Sequence, residues 1–250
     1  MTAFELIPTF SRIRVLLGDD VVADTRAARI ALAEGSAPCF LVPRMDLQAE
    51  LVPTDELAED GGVLHEVRVR EGRTLSDKAL VYKEHADLVR IDPRDLRKLR
   101  GRWDESPELT WLEEDRPGMP FARNPRHRVD VLPLSESTRI EIGDTVIAKS
   151  DAASLLLESG LPPRVYVPES DWIEGSLHPV EGGRTACPYK GIANYFDIRV
   201  GNETLAREAW GYDVASAPQN WLLPAIDHQR AVVASGKVQV YVGKTRLPLP

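Results

Sequence analysis

The chain repeats itself, and that repeat constrains its fold more than any other feature. Residues 18–47 align with residues 143–172 at a constant offset of 125, with no gap. The identical pairs are Gly18/Gly143, Asp19/Asp144, Val21/Val146, Ala23/Ala148, Ala27/Ala152, Ala28/Ala153, Leu32/Leu157, Gly35/Gly160, Pro38/Pro163, Val42/Val167, Pro43/Pro168 and Asp46/Asp171. Glycines and prolines in register set backbone geometry rather than surface chemistry. One small domain is therefore expected twice.

Both copies read as mainly β. In the second, Ile140 and Ile142 alternate with Arg139 and Glu141, and Val15 and Leu17 sit at the same places in the first. This is the period of a strand with one buried face. Gly18-Asp19 and Gly143-Asp144 then predict a tight turn into a second strand. Thr25 and Ser150 suit an N-cap. The apolar residues after them, ending at Gly35 and Gly160, predict one short helix per copy. Short buried strands follow at Phe40–Val42 and Val165–Val167, stopped by Pro43 and Pro168. Further on, Ile192, Asn194, Phe196, Ile198 and Val200 share one strand face, and Gly201-Asn202 turns the chain. Ala79 and Tyr82 match Ala209 and Tyr212 at an offset of 130, so the second copy holds about five extra residues (130 − 125). A last hairpin is expected from Gln229–Ala234 and Val238–Val242. The proline- and arginine-rich stretch Arg116–Leu134 reads as a linker. The expected division is a first domain over 1–115, a linker over 116–134 and a second domain over 135–250.

Composition narrows the function classes. The net charge of −8, from 39 acidic and 31 basic residues, argues against nucleic acid and anionic membrane as partners, since both need clustered positive charge. Two cysteines far apart, Cys39 and Cys187, form no C-x-x-C pair. Free thiols and a cytoplasmic location are expected. No apolar run approaches the roughly 20 residues of a membrane helix.

The extra residues of copy two contain Gly182-Gly183-Arg184-Thr185-Ala186-Cys187-Pro188-Tyr189-Lys190-Gly191, where copy one has the acidic stretch Asp55–Gly62. A segment that differs this much between copies is not required to make the fold, which marks it as the candidate site. Cys187 reads either as a nucleophile, with Lys190 three residues on to favour the thiolate, or as a small buried hydrophobe. Lys190 reads as an anion anchor or as a solvated loop lysine. Arg184 and Thr185 add polar groups. Tyr189, Tyr195 and Trp210 are candidates for a pocket wall, apolar in body and polar at the tip. Leu80 stands where copy two has Trp210. Phosphate-loop, dinucleotide, nucleophile-elbow and zinc-protease signatures are all absent, so neither cofactor nor metal is expected.

Thr185-x-Cys187-Pro188-Tyr189-Lys190-Gly191, a strand, and then Ala209-Trp210-x-Tyr212 resemble the bacterial domain of unknown function 427. Trp111–Asp115 through Arg128–Leu132 is similar to the junction in its two-copy members. The first copy lacks the motif and the tryptophan, and so resembles a degenerate copy. The resemblance implies two tandem compact β-barrel-like domains of Mss4-like topology, each with one short helix. It brings no established activity. The reading favoured is a protein that binds a small molecule, with an anion as one candidate, at Arg184, Thr185, Cys187, Tyr189, Lys190, Tyr195 and Trp210. A non-catalytic interaction module is the alternative. Nucleotidyl transfer, which family labels suggest, has no visible phosphate loop or carboxylate pair behind it.

Overall fold

A computed structural model describes residues 4–33, 37–58, 61–69, 72–92, 109–118, 121–187, 189–213, 226–232 and 236–247. Described residues up to Asn124 form one unit, and those from Pro125 onward form a second.

In the first unit the strands are β1 (Glu5–Pro8), β2 (Ile13–Leu17), β3 (Asp20–Thr25), β4 (Arg29–Leu32), β5 (Cys39–Pro43), β6 (Glu50–Leu57), β7 (Val63–Arg68), β8 (Thr74–Val81), β9 (Leu88–Ile91), β10 (Thr110–Glu113) and β11 (Arg116–Pro117). In the second they are β12 (Val129–Pro133), β13 (Thr138–Ile142), β14 (Thr145–Ser150), β15 (Ser154–Glu158), β16 (Arg164–Pro168), β17 (Leu177–Pro179), β18 (Thr185–Cys187), β19 (Gly191–Val200), β20 (Glu203–Tyr212), β21 (Gln229–Val232), β22 (Val238–Val242) and β23 (Thr245–Arg246).

Each unit is built from two open antiparallel sheets, and the two units have the same strand order. The large sheets run β1-β4-β5-β9-β8-β7-β6 and β12-β15-β16-β21-β20-β19-β17, with β18 also paired to β19. The small sheets run β11-β10-β2-β3 and β23-β22-β13-β14. Small irregularities repeat as well. A register shift falls between Val15 and Leu16 in one unit and between Ile140 and Glu141 in the other. Ala23 bridges Leu47, and Ala148 bridges Trp172, at the same offset of 125. The expected barrel is thus corrected to open sheets facing each other across a core. Val15, Val22, Val42 and Val89 pack in the first unit, and Ile140, Ile147, Val167 and Ile198 in the second.

Three sequence expectations are corrected. The predicted helices are strands: Ser154–Glu158 alternates in burial, and Arg29–Leu32 is its counterpart. Thr25 and Ser150 do not cap helices. Their hydroxyls accept from the N–H groups of Ala27 and Ala152, at 2.9 and 3.0 Å, and turn the chain between strands. The run Leu155-Leu156-Leu157 suits either period, and pairing with β12 and β16 settles it as strand. The only helical turns among the described residues are short 3-10 turns, such as Arg44–Asp46 and Glu169–Asp171. Secondly, β21 and β22 do not form a hairpin. β21 lies in the large sheet and β22 in the small one. Thirdly, Arg116–Leu134 is not loose chain throughout, because β11 and β12 fall inside it and pair within the first and second units respectively. Gly35, Ala234 and Pro188, named in the sequence analysis, lie outside the described residues.

Candidate functional site

The large sheet of each unit has an inner face toward the small sheet and an outer face with its own cluster. In the first unit the outer cluster holds Ala31, Cys39, Leu41, Leu80, Tyr82 and Leu88, with Leu64 beside it. In the second it holds Leu156, Tyr166, Ala193, Tyr212, Ile226 and Ala231, with Cys187, Tyr195 and Trp210 beside it. Strand pairing aligns the two sets residue by residue. Leu64 opposes Leu80 and Leu80 opposes Arg90. Tyr195 opposes Trp210 and Trp210 opposes Ala231, which in turn opposes Tyr166. One cross-strand row therefore reads Tyr166, Ala231, Trp210, Tyr195 in copy two. The corresponding residues in copy one are Leu41, Arg90, Leu80 and Leu64.

Small Ala231 leaves room for the large rings on either side of it. Across it Trp210 Nε1 donates to the Tyr166 hydroxyl at 3.1 Å. At the far end Thr185 Oγ1 and the Tyr195 hydroxyl are 2.8 Å apart and share a hydrogen bond. Thr185 reaches this place because β18 extends the β19 edge through Thr185↔Ala193, Ala186↔Ile192 and Cys187↔Gly191. In copy one the equivalent hairpin closes earlier, at Leu57↔Val63. The extra residues of copy two therefore lengthen this hairpin. Gly191, with φ of +95°, takes the left-handed backbone at which its turn ends.

The hairpin tip is anchored, not solvated. Lys190 is 7% exposed, and its Nζ donates to Glu158 Oε2. The other Glu158 oxygen lies 3.0 Å from His127 Nε2, and the His127 ring stacks on Tyr189 with centroids 4.1 Å apart. The view of Lys190 as a solvated loop lysine is thus corrected, and its charge is matched by a buried carboxylate. Burial drives this arrangement, since an ammonium out of water needs a paired anion. Cys187 is half-buried and Cys39 buried, and no disulfide joins them. Burial pushes the hydroxyls of Tyr166 and Tyr212 well above the ordinary tyrosine value. The nearby Glu158 carboxylate adds to the rise.

Of the residues singled out from sequence, Thr185, Cys187, Tyr195 and Trp210 converge on the outer face. Tyr189 and Lys190 turn toward His127 and Glu158. Arg184 is half-buried immediately before β18. Sequence reasoning missed Tyr166, Glu158, His127 and two arginines. Arg207 lies over the Tyr195 ring at 4.2 Å and Arg164 over Trp210 at 6.0 Å. Comparing aligned copies would have flagged Tyr166 and Arg164, which stand opposite Leu41 and Cys39 at the offset of 125.

A second polar cluster, on the inner face, was also missed. Arg230 is 3% exposed and bonds Asp213 Oδ1 and Glu169 Oε2, each at 2.6 Å. Its guanidinium lies 4.7 Å from the Phe196 ring centroid. Gly211 makes space for it, since a Cβ there would sit 2.5 Å from Gln229 O and 2.7 Å from Arg230 Nη1. Asp213, Asp227 and His228 bring possible metal-ligand atoms within 4.8 Å of one another. Arg230 already supplies a cation to Asp213 there. No helix among the described residues is long and apolar enough to cross a membrane.

Two open antiparallel sheets with an aromatic cluster on the outer face make this a β domain, and residues 130–242 match the model of the domain of unknown function DUF427, also labelled NTP_transf_9. The second half of the chain belongs to this family. The first half gives no match, consistent with a degenerate copy. None of the curated proteins matches the chain.

Proposed function

We propose that the second unit binds a small molecule on the outer face of its large sheet, over Tyr195 and Trp210, beside the hairpin tip that carries Cys187. One observation supports this most: the same row in copy one is largely aliphatic, so the fold is built without the rings and hydroxyls that copy two places there. Tyr195 and Trp210, both half-buried, offer flat apolar surface above the buried Tyr166, and Thr185 adds a hydrogen-bonding group at one margin, the usual make-up of a ligand wall. Lys190 and Glu158 act as the clasp that holds the tip, and Cys187 forms floor. A cytoplasmic protein of this kind would fit the free thiols.

The test is a ligand-observed NMR screen of a metabolite library against the full chain and its Trp210→Leu variant. Binders lost in the variant support the reading. A library whose binders are indifferent to Trp210→Leu, or that contains none, overturns it.

A further inference from the structure

Arg164 and Arg207 lie over rings of the aromatic row, whereas Lys190 is matched by Glu158. Arg164 stands two residues before Tyr166 on β16, on the same strand face, and copy one has Cys39 there. Its guanidinium lies 6.0 Å from the Trp210 ring centroid, at the outer limit of a cation–π contact. Arg207 is placed by the irregularity between Phe196 and Ile198, where the β19–β20 register shifts. Its φ is +56°, a backbone state that a non-glycine residue holds only where its surroundings enforce it. The enforcing contact is its own N–H, which donates to Asp197 Oδ1 at 2.9 Å. The shift aims the side chain back over the sheet, and its guanidinium covers Tyr195 at 4.2 Å while Nη2 donates to Gly183 O. A guanidinium carries five N–H donors, and that bond engages one of them. Arg207 is exposed and Arg164 half-buried, so both can be reached from solvent.

From this geometry we infer that the ligand of the outer face is a planar, conjugated anion, a deepening that rests on the small-molecule reading above. The flat part lies along Trp210 and the Arg207 guanidinium that covers the Tyr195 ring. The anionic group, a carboxylate or another oxyanion, takes its hydrogen bonds from Arg164 and Arg207. Arginine suits both tasks, because its planar cation stacks on π surfaces and presents paired donors to an oxyanion. Lys190, the anion anchor expected from sequence, holds the hairpin tip instead.

The experiment compares 1-naphthoate with its neutral isostere 1-naphthamide, by ligand-observed NMR titration of the full chain. Naphthoate is expected to bind about tenfold more tightly than the amide, as a charge-assisted contact requires. Arg164→Met and Arg207→Met should each weaken naphthoate about fivefold and the amide by less, since only naphthoate loses a charge-assisted contact. Methionine keeps the apolar stem, and both sites are at least partly exposed, so the fold should hold; circular dichroism checks this. Equal affinity for the two compounds overturns the anion assignment and leaves the outer-face site standing, provided that Trp210→Leu abolishes both. If neither compound binds, or binding ignores Trp210→Leu, the small-molecule reading falls and the inference falls with it.

Discussion

The two units share a backbone plan and differ on both faces of one sheet. On the outer face, Leu41, Arg90, Leu80 and Leu64 stand where copy two has Tyr166, Ala231, Trp210 and Tyr195. On the inner face, Val81 and Val89 pair with each other, and copy two has Gly211 and Arg230 at those positions. The surrounding charges are inverted, with Arg44 and Lys83 in place of Glu169 and Asp213. Copy one shows that hydrocarbon closes this architecture. A buried ion pair is seldom more stable than well-packed hydrophobic residues of similar volume. The polar groups of copy two are therefore poorly explained as stabilisers of the fold, and this difference is what supports a binding role for the second unit.

The inner face gives the largest expected effect. Arg230→Ala strips Asp213 and Glu169 of their buried cation and should destabilise the second unit by about 3 kcal/mol. Gly211→Val alone drives a side chain against Gln229 O and Arg230 Nη1 and should cost about as much. Combined as Gly211→Val/Arg230→Val, the two changes install the copy-one pair and should cost clearly less than their sum. Urea denaturation of the full chain measures all three. Strict additivity would mean that the two residues are not coupled as the comparison requires.

Next comes the clasp. Lys190→Met leaves Glu158 with His127 alone, and roughly 2 kcal/mol should be lost, less than for Arg230 because one Glu158 partner survives. Adding Glu158→Gln removes the orphaned charge and should recover at least half of the loss. If Lys190→Met proves neutral in thermal unfolding, the lysine is a surface group after all, and copy two's tip is as loose as an ordinary loop.

Which parts of this could be read in the sequence follows from what each residue type controls. The repeat was legible because Gly18/Gly143, Pro43/Pro168 and their neighbours shape the backbone, and both units do share one topology. The helix reading failed at Leu155-Leu156-Leu157, where a short apolar run carries no distinctive period and its strand partners lie in other segments. Thr185, Tyr195 and Trp210 were legible through contrast with copy one. Arg230 was not, because copy two has extra chain before it. Tyr82 aligns with Tyr212 at 130, but Val89 aligns with Arg230 at 141, so eleven further residues (141 − 130) break the register between them. Lys190 was visible as a residue and misjudged in place, since its partners Glu158 and His127 are distant in sequence and joined only by the sheet.

The buried tyrosines sharpen the comparison at alkaline pH. Tyr166 and Tyr212 keep their protons in the folded state above the ordinary value of 10.0, chiefly because burial disfavours the phenolate. In the unfolded chain they ionise from that value upward. Their contribution is complete below pH 10 and is lost as pH rises past it, by about 1.4 kcal/mol per pH unit for each tyrosine. Denaturation curves at pH 9 and pH 11 should show the fall, and Tyr166→Phe should make it shallower. An unchanged slope in that variant would show that the Tyr166 hydroxyl is not sealed from water.

The smallest effect on stability is expected from Trp210→Leu, and it separates folding from binding most cleanly. Leucine is what copy one uses at this position, so the outer face is known to accept it. The loss comprises one hydrogen bond to the Tyr166 hydroxyl and part of a half-buried ring, about 1 kcal/mol. Tyr166 then keeps a buried hydroxyl that no longer accepts from the indole, and Tyr166→Phe in the same background should return a few tenths of a kcal/mol of that loss. Ligand contact, by contrast, should vanish, because the flat wall and the ring beneath Arg164 go together. A variant that melts within about 5 °C of the parent while losing its ligands would show that Trp210 is retained for recognition. A variant that binds as before would make the tryptophan one more packing residue, and copy two's outer face would then differ from copy one's only in how its core is filled.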